Sequence, residues 1–290
     1  MTPEAEGGIP FHRHTGRARN VRIPTCERLF VPMQPLPSTE PPLLRVLHED
    51  AELLVVNKPA GLVCHPTKGD GYSSLVARAR LYVGPSAPLH LVNRLDRETS
   101  GVTVMTKSAR VAGELGTIWE QRGVKKDYLA IVHGHVAADD GVLNAPLGKD
   151  AHSPVAIKDC VRPDGSAALT RFRVERRFLR DGRAFSLLQV ALETGRKHQI
   201  RIHLAHAGHP IVGDKLYGAD EQLYLRFVRG ELTTEQWEEL ILTNHALHAV
   251  ALRFVWRERE WEFRAEAEAE FNGFCGAAQR APDRDYKLSL

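Results

Sequence analysis

Short runs of apolar, β-branched and aromatic residues recur along the chain from Leu43 onwards and place the strongest limit on its fold. The first two runs, LLRVLHED and AELLVVNKP, are separated by charged residues, and Pro59 with Gly61 breaks the second. Further predicted strands are VTVMTK, KDYLAIVHGHV, ALTRFRVERRF, FSLLQVAL, HALHAVALRFVW and EWEFRAEA. Strands outnumber helices and do not alternate regularly with them, so the sequence predicts an α+β fold with a mixed, largely antiparallel sheet flanked by helices and loops.

Four helices are predicted between these strands, over residues 73–82, after Ser108, near 198–207 and over 234–240. Ser108 is a suitable N-cap because its hydroxyl can accept a hydrogen bond from a free N–H of the first turn. The residues that share one face of the following helix are Val111, Leu115, Ile118 and Trp119. No internal repeat is visible, so a single domain is expected.

The composition, 43% hydrophobic and 26% charged residues, is that of an ordinary globular protein with a sizeable core. Residues 1–42 carry many of the prolines and little apolar periodicity, so we expect an extended or partly disordered N-terminal extension. The domain is predicted over residues 43–275, and residues 276–290 form a C-terminal tail.

The N-terminal segment has no apolar run like that of a signal peptide, and no later stretch approaches the roughly 18 apolar residues of a membrane span. We therefore expect a soluble cytoplasmic protein without a membrane partner. The cysteines are scattered singly, at Cys26, Cys64, Cys160 and Cys275. This spacing fits neither a zinc site nor a dense disulfide framework, so they are expected to be reduced thiols.

The formal net charge of +3 is small, but the basic residues are concentrated in one stretch. Between Arg171 and Arg201 nine basic residues face three acidic ones, whereas acidic residues outnumber basic ones about two to one between Asp220 and Glu270. A basic face suits a phosphate backbone. An Arg-rich pair of strands that is merely solvated fits the same composition, so both interpretations remain.

The segment LVNRLDRETSGVTVMTK is the first candidate for chemistry. It places Arg94, Asp96, Arg97 and Glu98 in a turn just before a predicted strand, where scaffolds commonly present functional side chains. A capped, salt-bridged surface turn has the same local sequence, so this segment alone does not decide between the two.

The second candidate is TGRKHQIRIHLAHAGHPIVGDKLYG, which contains four histidines: His198, His203, His206 and His209. A metal-dependent hydrolase is one hypothesis for such a group. The spacing matches no H-E-x-x-H site, although His203 and His206 could share a helix face. We therefore predict no metal site.

Five ordered pieces, LRVLHEDAELLVVNKPAGLVCHP, NRLDRETSG, KKDYLAIVHG, TGRKHQIRIHLAHAGHPIVGDKLYG and HALHAVALRF, resemble the pseudouridine synthases of the RluA type. The resemblance covers roughly residues 43–256. It implies the pseudouridine synthase fold, no metal or organic cofactor, and RNA as the partner, with no obligate protein partner evident. The implied activity is the isomerisation of specific uridines to pseudouridine in structured ribosomal or transfer RNA, which would make residues 43–275 a catalytic domain.

By position, the resemblance makes Asp96 the catalytic carboxylate, Tyr128 the aromatic residue against the target base and Arg201 the basic partner of the carboxylate. Arg94 is expected near the flipped nucleotide. The family motif begins His-Arg-Leu-Asp, whereas Asn93 precedes Arg94 here. The amide keeps hydrogen-bonding ability without the positive charge of an imidazolium, which affects local RNA contacts more than the chemistry. A noncatalytic RNA-binding protein that retains the fold is the alternative.

Overall fold

The computed structural model describes residues 44–65 and 74–276, and the backbone alone of Gln279–Arg280. The predicted extension over residues 1–42 lies outside the described residues. Within the predicted tail, the structure describes only Gly276, which ends the last helix, and the pair Gln279–Arg280.

The strands of the described residues, in chain order, are β1 (Arg45–Glu49), β2 (Leu53–Lys58), β3 (His90–Leu91), β4 (Ser100–Thr106), β5 (Val124–His133), β6 (Asp140–Asn144), β7 (Leu147–Lys149), β8 (Asp159–Val161), β9 (Leu169–Arg180), β10 (Arg183–Leu192), β11 (Leu247–Trp256), β12 (Arg259–Arg264) and β13 (Gln279–Arg280). The helices are α1 (Leu75–Val83), α2 (Ala109–Glu120), α3 (Gln199–His206), α4 (Gln222–Arg229), α5 (Thr234–Leu240) and α6 (Ala269–Gly276).

The predicted helices are found close to their expected bounds, and their caps explain where they begin. The Ser108 hydroxyl accepts the N–H of Val111, as the sequence predicted for α2. Thr233 and Gln236 form a reciprocal capping box at the start of α5. Helices α4 and α6 were not predicted. None of the helices in the described part of the chain combines the length and apolar composition that a membrane crossing requires.

One large sheet, in the order β1-β2-β4-β11-β5-β10-β9-β13, forms the frame of the described residues. Strand β12 also pairs with β11, β3 with β4 and β6 with β9, while β7 and β8 form a separate hairpin. Strands β4 and β11 pair in parallel, and the other strand pairs of the described residues are antiparallel. The predicted α+β class with a mixed, largely antiparallel sheet is confirmed.

The parallel contact between β4 and β11 requires a glycine. Ser100 pairs with His248 and Gly101 with Ala249. Gly101 has a φ of 120°, and a Cβ there would lie 2.2 Å from the Ala249 carbonyl oxygen. A side chain would therefore force the strands apart, and the glycine of the T-S-G sequence sets how closely they approach.

Apolar clusters cover both ends of the sheet. The largest includes residues of β5, β10, β11 and α3 and is extended by Phe271 and Phe274 of α6. A second cluster packs Val111 and Leu115 of α2 against β2, β4, β11 and β12. The central strands are thereby fixed from several sides, which holds the loops at their ends in defined positions.

Candidate active site

The loop between β3 and β4 carries Asp96 and is fixed through its backbone. The Cys64 thiol donates to the carbonyl of Leu95 and accepts the Leu95 N–H, both at 3.4 Å. On the other side of Asp96, the Lys58 ammonium donates to the carbonyl of Arg97 at 3.0 Å. The backbone is therefore held on both sides of the carboxylate.

Lys58, at the end of β2, is fully buried and also donates to the carbonyls of Pro59 and Leu62, each at 2.8 Å. Burial lowers the pKa of its ammonium group to about 8. Three carbonyl acceptors satisfy the three donors of the buried cation. Lys58 thus links the turn that follows β2 to the loop that carries Asp96.

The side chains that follow Arg97 have buried partners from distant parts of the chain: Glu98 with Lys215 at 3.0 Å, Thr99 with His245 at 2.7 Å, and Ser100 with His248 at 2.8 Å. Burial lowers the pKa of His245 to about 3, so its imidazole is neutral. Burial also raises the pKa of the Glu98 carboxyl. The whole R-L-D-R-E-T-S-G loop is therefore tied to the segments around residues 215 and 245.

Asn93, the departure from the family motif, is part of this scaffold. Its amide donates to the carbonyl of Val102 at 3.2 Å and accepts the N–H of Val104 at 2.8 Å. Both partners lie in β4. The amide therefore joins the start of the loop to the strand that follows it, a structural role that its sequence position did not reveal.

Arg201, the third residue of α3, is buried and binds two carboxylates. Its Nη1 donates to Asp96 Oδ2 at 3.0 Å. Its Nε and Nη2 donate to the two oxygens of Asp214, at 2.7 and 2.9 Å. Asp214 Oδ1 also accepts the N–H groups of Leu216 and Tyr217, at 2.9 Å each. Asp214 therefore fixes the guanidinium from the interior of the protein, while its remaining N–H edge faces Asp96.

The charges of this group shift the pKa values of its members. Burial is the largest single effect on the Asp96 carboxyl and raises its pKa, but Arg201 together with His198 and His245 outweighs it, and the net pKa lies below the ordinary value. For Asp214 the same competition between burial and Arg201 leaves the pKa well below its usual range. Both carboxylates are ionised at neutral pH, and Arg201 remains charged.

His198 precedes α3 in a left-handed conformation, with a φ of 55°. Its Nδ1 lies 2.9 Å from the Tyr217 hydroxyl, which accepts the N–H of Asp159 at 3.2 Å. The hydroxyl can donate its hydrogen to Nδ1, and in that tautomer the imidazole hydrogen lies on Nε2. Nε2 lies 3.9 Å from Asp96 Oδ1. Burial lowers the pKa of His198 to about 4, so a neutral imidazole stands beside the carboxylate.

A cavity of about 400 Å³ opens above Asp96, whose side chain is 28% exposed. Tyr128, in the middle of β5, lines the cavity and is 9% exposed. Burial raises the pKa of its phenol, so the hydroxyl stays protonated. The cavity brings together the predicted residues Asp96, Tyr128, Arg201 and Arg94. Arg94 is exposed at its wall and forms no ion pair with the described residues.

The model of the RNA pseudouridylate synthase family matches residues 52–206 of this chain. The chain belongs to this family. The ribosomal large subunit pseudouridine synthase D of Xanthomonas campestris pv. campestris is 40% identical over 216 residues, which are 73% of this chain and 62% of the relative. The uncharacterized RNA pseudouridine synthase YhcT of Bacillus subtilis is 34% identical over 221 residues, 73% of this chain and 72% of the relative.

Solved pseudouridylate synthases share the fold. Human RNA Pseudouridylate Synthase Domain Containing 4 is 26% identical with a TM-score of 0.60, over 78% of this chain and 90% of the human one. Human RNA Pseudouridylate Synthase Domain Containing 1 aligns with a TM-score of 0.66 at 22% identity, over 83% of this chain and 91% of the human one. The family and the pseudouridine synthase fold predicted from the motifs are confirmed.

The histidines do not form a metal site in the described residues. His203 contacts Thr170 and the carbonyl of Ala145, while His209 contacts the carbonyl of His133. Among the side chains that the structure describes, no three histidine, cysteine or acidic residues are grouped around a common point. The hydrolase hypothesis therefore lacks a ligand set in this part of the chain.

Many of the basic residues between Arg171 and Arg201 already bind groups of the protein itself. Ion pairs join Arg171 to Glu193, Arg173 to Glu175 and Arg177 to Asp139. Arg176 and Arg180 donate to carbonyl groups of α6. Strand β9 therefore does not present a continuous face of unpaired basic residues. The basic residues of the stretch that line the cavity are Arg196, Lys197 and Arg201.

Four buried residues around the candidate site were not singled out from the sequence: Lys58, Asp214, Lys215 and His245. All are less than 5% exposed, although charged side chains usually lie on the surface. The available signal was that all four lie in three motif pieces that resemble the family, N-K-P-A-G, G-D-K-L-Y-G and H-A-L-H. Their partners are too distant in the sequence for spacing to pair them.

Proposed function

We propose that this protein isomerises uridine to pseudouridine in RNA, with Asp96 as the catalytic carboxylate. The observation that carries the proposal is the asymmetric environment of this group. One oxygen, Oδ2, is bound by Arg201, whereas Oδ1 has no hydrogen-bond partner among the described residues, and Asp96 lines the cavity. An ionised carboxylate with one uncommitted oxygen is suited to attack an electrophilic carbon or to remove a proton.

The reaction breaks the bond between uracil N1 and ribose C1′ and forms one between C5 and C1′. The C5 proton is released and N1 regains a proton, so there is no net oxidation or hydrolysis. Asp96 acts as a nucleophile or as the base that takes a proton from the sugar. Arg201 keeps the carboxylate ionised and oriented, and the neutral His198 supplies a hydrogen-bond donor beside it.

The cavity volume of about 400 Å³ is ample for one nucleotide, which supports a mechanism in which the target uridine leaves its stack. Unstacking costs a few kcal/mol and must be offset by contacts within the protein. We propose that Tyr128 packs against the uracil ring and that Arg94 fills the vacated space in the RNA. The position of Arg94 at the exposed wall of the cavity supports this role.

We further propose that residues 43–275 form the catalytic domain and that ribosomal RNA is the substrate. The 40% identity to a ribosomal large subunit pseudouridine synthase D supports ribosomal RNA, and transfer RNA is the alternative to be tested beside it. A noncatalytic RNA-binding protein would not require an ionised carboxylate supported by Arg201 and Asp214.

The proposal is tested by tritium release from RNA labelled at uracil C5. Ribosomal and transfer RNA from cells that lack the protein are incubated separately with the wild type, Asp96→Asn and the control Asp181→Asn. Asp181 is 89% exposed, so its amide variant changes the same charge far from the cavity. We expect release with the wild type and the control and none with Asp96→Asn. Equal release from all three would reject Asp96, and no release from either RNA would favour the binding-protein alternative.

A further inference from the structure

A second cavity, of about 550 Å³, adjoins the active-site cavity along β5. The two share Lys126 and Leu192 in their walls. The second cavity is also bordered by Arg122, which precedes β5, by Lys125, the second residue of β5, and by Arg171 of β9. The two cavities are therefore neighbours that have these two residues in common.

The second cavity has an excess of positive charge. Arg122, Lys125 and Lys126 form no ion pair with any carboxylate of the described residues, and Arg122 and Lys125 are exposed. The acidic residues of the wall are already engaged, since Glu193 pairs with Arg171 and Asp127 with Arg253. The three unpaired cations are therefore free to meet anions from solution.

Lys126 is the cation at the junction of the cavities. It is partly buried, and burial lowers the pKa of its ammonium group without a compensating carboxylate. A Cβ at Gly195 would lie 3.3 Å from Lys126 Nζ, so the ammonium group lies against the backbone of the G-R-x-H-Q-I-R segment. A partly desolvated cation without a counter-charge is unfavourable, and a bound anion would relieve this cost.

Lys126 and Tyr128 are two residues apart on β5, so their side chains project from the same face of the sheet. A base that packs against Tyr128 is attached through its ribose to a phosphate one step further along the chain. Lys126 lies two residues before Tyr128, which is the next position on the same face of the strand. Lys126 therefore lies roughly 7 Å along the strand from Tyr128, on the face that a base packed against the tyrosine would occupy.

We propose that the second cavity binds the unpaired RNA backbone that flanks the target uridine. Lys126 contacts the phosphate next to the target nucleotide, and Arg122 and Lys125, which line the same cavity, contact phosphates further along the RNA. The ligand class is single-stranded RNA, recognised through its phosphates and not through its sequence. This inference rests on the proposed function for the identity of the substrate, but it concerns binding and is measured without turnover.

The first test measures the dissociation constant of a fluorescent RNA stem-loop, with the target uridine in its loop, at several salt concentrations. The protein is the full chain with Asp96→Asn, so no product forms. Arg122→Gln/Lys125→Gln is compared with Arg45→Gln/Arg80→Gln. The control removes the same charge from exposed arginines of β1 and α1, which do not line either cavity.

We expect Arg122→Gln/Lys125→Gln to reduce the slope of log K against log salt by about 1.4, since each lost contact to a single strand removes roughly 0.7. Its dissociation constant at low salt should rise at least about tenfold. The control should leave the slope unchanged. If Arg122→Gln/Lys125→Gln behaves like the control, or if the parent protein binds no RNA at low salt, the proposal is overturned.

The second test assigns Lys126 to one phosphate. Neutral methylphosphonate linkages are introduced one at a time around the target uridine, and each RNA is bound to the parent protein and to Lys126→Gln. The parent should lose affinity at the linkage next to the target, and the variant should be insensitive to that linkage. If both proteins lose affinity equally at every linkage, Lys126 does not contact a phosphate. Tritium release by the wild type tests the isomerase proposal separately.

Discussion

The guanidinium of Arg201 binds both oxygens of Asp214, at 2.7 and 2.9 Å, in the interior of the protein. The buried carboxylate fixes the plane of the guanidinium, and this orientation directs the remaining N–H towards Asp96. The charge of Asp214 also offsets that of Arg201, which would otherwise be a single buried cation shared only with a partly exposed carboxylate. The predicted partner of Asp96 therefore depends on a residue that does not itself line the active-site cavity.

Asp214→Asn should weaken both the fold and the reaction. The amide can still accept the N–H groups of Leu216 and Tyr217, but it leaves a buried guanidinium with one carboxylate partner. Breaking such a pair is expected to lower the free energy of unfolding by about 3–5 kcal/mol. Urea unfolding and tritium release measure the two effects. Asp164→Asn, which disrupts the exposed pair with Arg162, is the control and should change little. Equal unfolding curves for both variants would contradict the prediction.

His245 should make the protein less stable as the pH falls below neutrality. Its pKa is lowered by burial to about 3 in the folded chain, against an ordinary value of about 6.5 in the unfolded chain. Between these values the unfolded chain binds the proton more readily, so stability decreases with decreasing pH, by up to about 1.4 kcal/mol per pH unit.

His245→Gln should remove this contribution, which urea unfolding at pH 4 to 7 would detect as a shallower dependence on pH. The exposed His152→Gln is the matched control and should retain the slope of the wild type. His198, whose pKa burial lowers to about 4, acts in the same direction and remains in both variants. An unchanged slope for His245→Gln would show that the pKa of this imidazole is not lowered in the folded protein.

Gly101→Ala should prevent β4 and β11 from pairing as they do. The new Cβ would lie 2.2 Å from the Ala249 carbonyl oxygen, at a residue whose φ is 120°. We expect a loss of more than about 3 kcal/mol of stability, or no folded protein. Gly113→Ala in α2 meets open space and should stabilise the helix by about 0.5–1 kcal/mol. Thermal unfolding monitored by circular dichroism distinguishes the two, and similar midpoints would refute the steric explanation.

Tyr217→Phe should affect turnover more than folding. The hydroxyl binds His198 Nδ1 and accepts the N–H of Asp159, so its loss frees the imidazole to change tautomer. We expect kcat to fall on the order of tenfold while KM changes little. Tyr224→Phe removes a hydroxyl that has no hydrogen bond to the described residues and serves as the control. Identical kcat values for the two variants would exclude a role for this tautomer.

The parts of the site that could be predicted from the sequence are those whose residues lie in long ordered motifs. Asp96 and Arg201 were predicted to pair from R-L-D-x-x-T-S-G and G-R-x-H-Q-I-R, and the structure places their side chains 3.0 Å apart. Their chemical roles remain proposals. The fold class followed from the number and arrangement of the strand-like runs, because periodicity is a local property of the sequence.

The buried charges could not be predicted because burial depends on partners that are distant in the sequence. Lys215 lies 117 residues from Glu98, and nothing in G-D-K-L-Y-G indicates that this lysine is inside the protein. Helix α6 was missed for a related reason. Its sequence, AEFNGFCG, contains two glycines, and its helical form is stabilised by packing of Phe271 and Phe274 into the core. The Arg-rich β9 likewise finds several of its acidic partners outside its own strand.

The close parallel contact of β4 with β11 also bears on how the chain acquires its site. Ser100 and His248 are separated by 148 residues, and contacts of such long range form late because the intervening chain must be ordered first. During synthesis the segment with Asp96 leaves the ribosome well before β11 does. The nascent chain should therefore carry the Asp96 loop in an unassembled form, without its partners from the C-terminal strands, until those strands have left the ribosome.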